Sequence, residues 1–98
     1  MRIVWTRAAM SDLEAIRDYI ARDSDSYALR FVQRILEAVE FLQKFPELGE
    51  VLAEFGERGV RQRIVQNYRV LYRVRSDHVS ILTIVHASRD LASVDLEP

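Results

Sequence analysis

The chain contains no cysteine, one lysine, one tryptophan, two prolines and three glycines. Without cysteine there is no disulfide framework, no thiolate zinc site and no cysteine nucleophile. That absence fits a reducing compartment, and a cytoplasmic location is expected. No apolar run approaches the roughly 20 residues of a membrane span. The opening Met1-Arg2-Ile3-Val4-Trp5-Thr6 runs straight into charged sequence, unlike a signal peptide. A Gly-rich phosphate loop, GxSxG and HExxH are all missing, so neither a cofactor nor a metal is expected.

What is present suits one domain over residues 1–98: 49% of the residues are hydrophobic, and no repeat or linker interrupts them. The net charge of −1 argues against a general affinity for nucleic acid, but its distribution is uneven. Between Arg58 and Arg75 lie six arginines and no acid, leaving eight basic and fifteen acidic residues elsewhere. A basic sector on an acidic body suits an acidic partner or a phosphate backbone.

Ile3, Val4 and Trp5 form a short β-like run, and Thr6 can cap a helix beginning just after it. Ala9, Leu13, Ile16 and Ile20 repeat with the period of one helix face, predicting a helix from about Arg7 to Arg22. After the polar break at 23–26, Ala28, Val32, Ile35, Val39 and Leu42 repeat in the same way. Phe31, Ala38, Phe41 and Phe45 widen that stripe, and the predicted helix runs from about Ser26 to Lys44, ended by Pro46. Two helices joined by so short a link form an antiparallel hairpin. Residues 47–59 hold all three glycines and read as a loop.

From Val60 onward the period is two, predicting strands at about 60–65, 68–74 and 79–85. Pairing Val74 with Val79 places Tyr68, Val70, Tyr72, Val74, Val79, Ile81, Thr83 and Val85 on a face apolar enough to receive the helices. The other face holds Arg69, Leu71, Arg73, Ser80, Leu82, Ile84 and His86, a mixture suited to a partner or a shallow groove. A three-residue turn puts Arg61 and Arg63 on the mixed face, whereas a two-residue turn puts them on the core face. The cost of burying unpaired guanidinium groups favours the former. The expected class is α+β: an N-terminal strand and a two-helix hairpin packed on one face of a small, mainly antiparallel sheet, in the order β-α-α-β-β-β.

Arginine grips phosphate or carboxylate through a planar fork. Arg61, Arg63, Arg69, Arg73 and Arg89 are therefore candidate contacts, with His86 at a strand end as a hydrogen-bonding group. The other reading is a solvated face whose arginine stems cover Leu71, Leu82 and Ile84. His78 falls in a predicted turn and reads as solvated.

Val4, Trp5, Thr6, Ala9, Asp12, Leu13, Ile16, Tyr19 and Ile20 resemble the opening of ParE-type toxins. Ala28, Phe31, Ile35, Leu42, Phe45-Pro46 and Gly49 continue the likeness. Val60-Arg61, Tyr68 to Val74, and His86, Arg89, Asp90 and Leu91 resemble that family's C-terminal half. The resemblance covers nearly the whole chain and implies a ParE/RelE-superfamily toxin. Its expected partner is a cognate, ParD-like antitoxin whose C-terminal segment wraps it in a hetero-oligomer. ParE-like members poison DNA gyrase. RelE-like members cut mRNA on the ribosome without a metal, using basic residues and often a tyrosine or histidine near the C-terminus.

The near-neutral charge and the lack of a tyrosine after the last strand lean to the ParE side, hence to a poison rather than an enzyme. Arg61, Arg69 and His86 match basic or catalytic positions of nucleolytic relatives, so an mRNA endonuclease is the alternative, with an inactive antitoxin-binding repressor partner as a third. The implied target contacts are Arg61, Arg63, Arg69, Arg73, His86 and Arg89. The implied antitoxin contacts are Leu71, Leu82, Ile84, Arg61 and Arg73. Neither a membrane nor sequence-specific nucleic-acid binding is expected.

Overall fold

Both helices begin where the sequence supplies a cap. The Thr6 hydroxyl accepts from the Ala9 N–H at 3.1 Å, and the Ser24 hydroxyl from the Tyr27 N–H at 3.1 Å. In the computed structural model, which describes residues 1–96, β1 (Arg2–Trp5) leads into α1 (Arg7–Ala21) and α2 (Asp25–Phe41). The predicted loop contains a two-residue strand, β2 (Glu50–Val51), and a 3-10 segment, Ala53–Arg58. Then come β3 (Val60–Val65), β4 (Tyr68–Val74), β5 (His78–His86) and a 3-10 turn at Leu91–Ser93. The sheet order is β1-β5-β4-β3-β2, with β1 parallel to β5 and the other neighbours antiparallel. The α+β class and the helix hairpin on one sheet face are as expected.

The main core lies between the helices and the sheet. Ala9, Phe31, Ile35, Val39 and Leu42 pack on Val65, Val70, Tyr72, Val79, Ile81 and Ile84. Phe41 and Phe45, at the end of the widened stripe, are instead half exposed and pack on each other, with ring centroids 4.9 Å apart.

Two features of the sheet differ from the sequence reading. First, β3 and β4 are joined by a two-residue turn, Gln66-Asn67, because Val65 pairs with Tyr68. Gln66 takes the left-handed backbone (φ 53) that such turns require. Arg61 and Arg63 therefore pair with Tyr72 and Val70 and share their helix-side face. The cost that favoured the longer turn is reduced at Arg61, whose guanidinium is bonded to backbone carbonyls.

Second, β5 carries a bulge. Leu71 pairs with Thr83 and Tyr72 with Ile81, so Leu82 has no partner on β4. Beyond the bulge the faces exchange: Ile84 and His86 join the helix side, and Val85 shares a face with Arg69. Helix α1 satisfies the polar groups the bulge exposes. Asp12 accepts from the Ile84 N–H at 3.0 Å and from the Thr83 hydroxyl, and the Thr6 hydroxyl donates to the Leu82 carbonyl at 3.0 Å.

The second sheet face is covered by the chain itself. Leu52, Val60, Leu71, Leu91 and Leu96 form a smaller core, flanked by Phe55, Leu82 and Val94. The apolar strip expected from Leu71, Leu82 and Ile84 thus does not exist as a strip: Leu71 and Ile84 are buried on opposite faces.

Removing the Asp12 carboxylate should leave the Ile84 N–H without a partner. Asp12→Ala is expected to cost about 1–3 kcal/mol, at about 4–8 °C of melting temperature per kcal/mol. Asp12→Asn keeps an acceptor and should lose less. Equal losses for the two variants in urea titrations would show that the acceptor does not matter. Tyr72→Phe should cost about 1–3 kcal/mol as well, since the buried Tyr72 hydroxyl donates to the Pro46 carbonyl and accepts from the Gly49 N–H, each at 2.8 Å. A neutral Phe variant would mean that the 46–49 loop does not need this tie.

Candidate functional site

The arginines of 58–75 divide between the two sheet faces. On the helix side, Arg61 Nη1 donates to the Gly49 carbonyl at 2.8 Å and to the Glu47 carbonyl at 3.2 Å. Tyr72 holds that loop in place, and Gly49 is required there: an added Cβ would lie 2.5 Å from both the Gln62 carbonyl and the Tyr72 hydroxyl. Burial raises the Tyr72 phenol above its ordinary pKa, only partly offset by the Gly49 N–H and then by the charges of Arg61 and Arg63. Arg63 is half-buried, with a buried Nε that has no hydrogen-bond partner among the described residues, and lines a shallow groove with Arg34, Glu37 and Phe41.

On the far side, Arg69 braces the strands. Its Nε and Nη2 donate to the Ala87 carbonyl at 3.3 and 3.1 Å, and its Nη1 donates to the Gln62 side-chain carbonyl. Gln62 in turn donates to the Glu50 carboxylate at 2.9 Å. The chain of bonds runs from the end of β5 to β2. Arg73 lies on this face too; burial, then the charges of Arg75 and Arg58, lower its guanidinium pKa.

His86 ends β5 with its ring edge-on to Tyr68, centroids 5.2 Å apart. Its Nδ1 accepts from the Ser88 N–H at 3.1 Å and lies 2.7 Å from the Ser88 hydroxyl, so the neutral ring carries its proton on Nε2. The Tyr68 phenol is raised in pKa by burial first and by Tyr19 second. The exposed Arg89 reaches Ser93, with Nε 3.4 Å from its hydroxyl and Nη2 3.4 Å from its carbonyl.

The candidate residues are therefore not gathered into one site. Arg61 and Arg63 lie on the helix side of β3, Arg69 and Arg73 on the opposite face, and His86 and Arg89 at the C-terminal end of β5. Among the described residues, no group of three or more His, Cys, Asp or Glu is arranged to hold a metal.

The sequence reading did not identify an apolar groove of about 320 Å³ between the helices, lined by Trp5, Met10, Leu13, Val32 and Leu36 with Glu14 and Arg17 at its rim. Met10 and Leu36 are 53% and 46% exposed. The signal was there: both lie one position off the core stripes, at Ala9 and Ile35, where a solvated helix would carry polar side chains. Trp5 belongs to β1, which ends the sheet, so its outer edge is unpaired among the described residues.

Comparisons with known proteins agree with this architecture. Residues 3–91 match the family model described as the ParE toxin of the type II toxin–antitoxin system parDE. The chain is 36% identical over 88 residues to Toxin RelE2 of Caulobacter vibrioides, covering 90% of this chain and 97% of the relative. It is 34% identical over 96 residues to Putative toxin Y4kP of Sinorhizobium fredii, covering 95% of each. Toxin ParE3 of Caulobacter vibrioides is 30% identical over 93 residues, with 94% and 92% covered. A solved structure, the chromosomal ParDE TA system from P. aeruginosa, superposes with a TM-score of 0.75 at 32% identity, covering 90% of this chain and 97% of that one. The fold, the ordered motifs and these relatives together place the chain in the ParE toxin family of type II toxin–antitoxin systems.

Proposed function

We propose that the chain acts in the cytoplasm as a growth-inhibiting poison of DNA gyrase, performs no bond cleavage itself, and is neutralised by a cognate ParD-like antitoxin. The observation that supports a poison over a ribosome-dependent nuclease is the dispersal of the groups a nuclease needs. Metal-independent RNA cleavage requires an acid, a base and a cation converging on one phosphodiester. Arg61 is engaged by loop carbonyls on one face and Arg69 by Gln62 and Ala87 on the other. His86 stands at the strand end, held by Ser88. No hydrogen bond joins any two of these three among the described residues. Target contact then falls to the less committed groups: Arg63, Arg73, His86 and Arg89.

The antitoxin is assigned to the apolar groove between α1 and α2, together with the open edge of β1. An apolar groove of this kind accepts side chains at helical spacing, and an unpaired edge accepts a strand. Trp5 contributes to both. This surface replaces the Leu71, Leu82 and Ile84 strip, which the chain covers by itself.

His86→Ala and Arg89→Ala should melt like the parent chain, because exposed substitutions usually stay within about 0.5 kcal/mol. In supercoiling and cleavage assays with purified gyrase, each should weaken inhibition by about tenfold or less, equivalent to ~1.4 kcal/mol. A translation-coupled mRNA cleavage assay should show no activity. Cleavage that falls about 10²–10⁴-fold in His86→Ala would instead identify a nuclease, and inactivity in both assays would leave the repressor-partner reading.

Met10→Asp and Leu36→Asp should leave gyrase inhibition intact and weaken capture by the antitoxin by about tenfold or more, the scale of a truncated apolar anchor. Unchanged antitoxin affinity in both variants would move the interface off this groove.

A further inference from the structure

Behind the second sheet face, a cavity of about 220 Å³ opens between β4, β5, the start of α1 and the C-terminal tail. Its walls include Arg73 and Arg75 from the end of β4, Ser80 from β5, Ala8 from the first turn of α1, and Leu82 and Leu96 on the apolar side.

Two cations, Arg73 and Arg75, line this cavity. Burial is the first cause that lowers the Arg73 pKa, and the charges of Arg75 and Arg58 come after it. Arg58 is held in part by the Leu96 carbonyl, at 3.2 Å from its Nη2. Neither Arg73 nor Arg75 has a side-chain hydrogen bond or ion pair among the described residues, and the Ser80 hydroxyl has no partner there either. Asp95 also lines the cavity but lies in no ion pair with these arginines.

The like charges of the half-buried Arg73 and the exposed Arg75 repel each other unless an anion balances them. The donors around this cavity have the chemistry of an anion site. Two guanidinium forks offer paired N–H groups, and a hydroxyl offers a third direction. Ala8 adds the start of a 15-residue helix, whose dipole favours negative charge. The apolar walls of Leu82 and Leu96 limit water and strengthen charge attraction. The site is separate from the apolar groove and shares Arg73 with the proposed target contacts.

We propose that this cavity binds a phosphate group, as free phosphate or as a phosphate monoester, gripped by Arg73 and Arg75 with Ser80 as a further donor. Asp95 opposes binding, since its carboxylate sits on the wall of the same cavity. The site therefore carries a sign test that a merely structural arginine pair would fail.

The experiment is a titration of the full chain with inorganic phosphate, monitored by ³¹P NMR and by melting temperature, against sodium chloride at matched ionic strength. Phosphate should bind and stabilise where chloride does not. Arg73→Gln should weaken phosphate binding by about tenfold or more, the scale of a lost charge-assisted bond, while Asp95→Asn should tighten it severalfold. A parallel titration with a nucleoside 5′-monophosphate separates the sources: an affinity equal to that of phosphate assigns free phosphate, and a higher one assigns a monoester. Equal effects of phosphate and chloride would overturn the site. So would a folded Arg73→Gln variant that binds as well as the parent, or an Asp95→Asn variant that binds less well. Because Asp95 is exposed and makes no ion pair among the described residues, its variant keeps the test open even if Arg73→Gln fails to fold.

Discussion

The arrangement of the whole domain depends on how α1 holds the bulge in β5. A bulge leaves backbone groups without ladder partners, and near a core those groups must find others. Thr6 and Asp12, at the cap and in the second turn of one helix, supply them. The same Thr6 hydroxyl caps the helix. One short segment therefore starts α1, fixes its position on the sheet and makes the face exchange of β5 tolerable. Ile84 reaches the main core only because of that exchange.

A second constraint comes from the narrow sheet. β3 packs on α2 through Val65 and is flanked on its outer side by the two-residue β2. Arginines at its helix-side positions can bury their stems and still reach carbonyls or solvent. Arg61 closes the 46–49 loop against β3, and Arg69 ties β5 to β2 through Gln62 and Glu50. Basic residues that look like contact groups in a one-dimensional pattern here act as braces. Truncating them would mix stability with activity, which is why Arg89, His86, Met10 and Leu36 are cleaner probes of function.

Membership of the ParE family sets the biological frame, while the geometry distributes the surfaces within it. The apolar groove beside β1 suits a protein partner. The strand-end groups His86 and Arg89 suit a target contact. The arginine cavity under the tail suits a small anion. The apolar groove is distinct from the other two, while Arg73 belongs both to the cavity and to the proposed target contacts.

Much of this was legible in the sequence. The stripes Ala9-Leu13-Ile16-Ile20 and Ala28-Ile35-Val39-Leu42 determine the helix hairpin, because burial of one face at the helical period is the strongest local signal a chain carries. The alternation after Val60 determines the three C-terminal strands, and the joint order of motifs determines the family. The face of Arg69 and Arg73 was legible from the alternation, but that of Arg61 and Arg63 was not. A two-residue turn normally advertises itself with glycine or asparagine at the left-handed position, and here Gln66 occupies it. A bulge leaves no mark in an alternating pattern, since Thr83, Ile84 and Val85 fit either face. Both features shift a strand by one residue, and with a period of two, one residue exchanges every side chain between faces. Local periodicity determined which segments pair, but only the hydrogen bonds from Thr6, Asp12 and the 46–49 loop, all distant in sequence, decided which side of the sheet Arg61, Arg63 and His86 occupy.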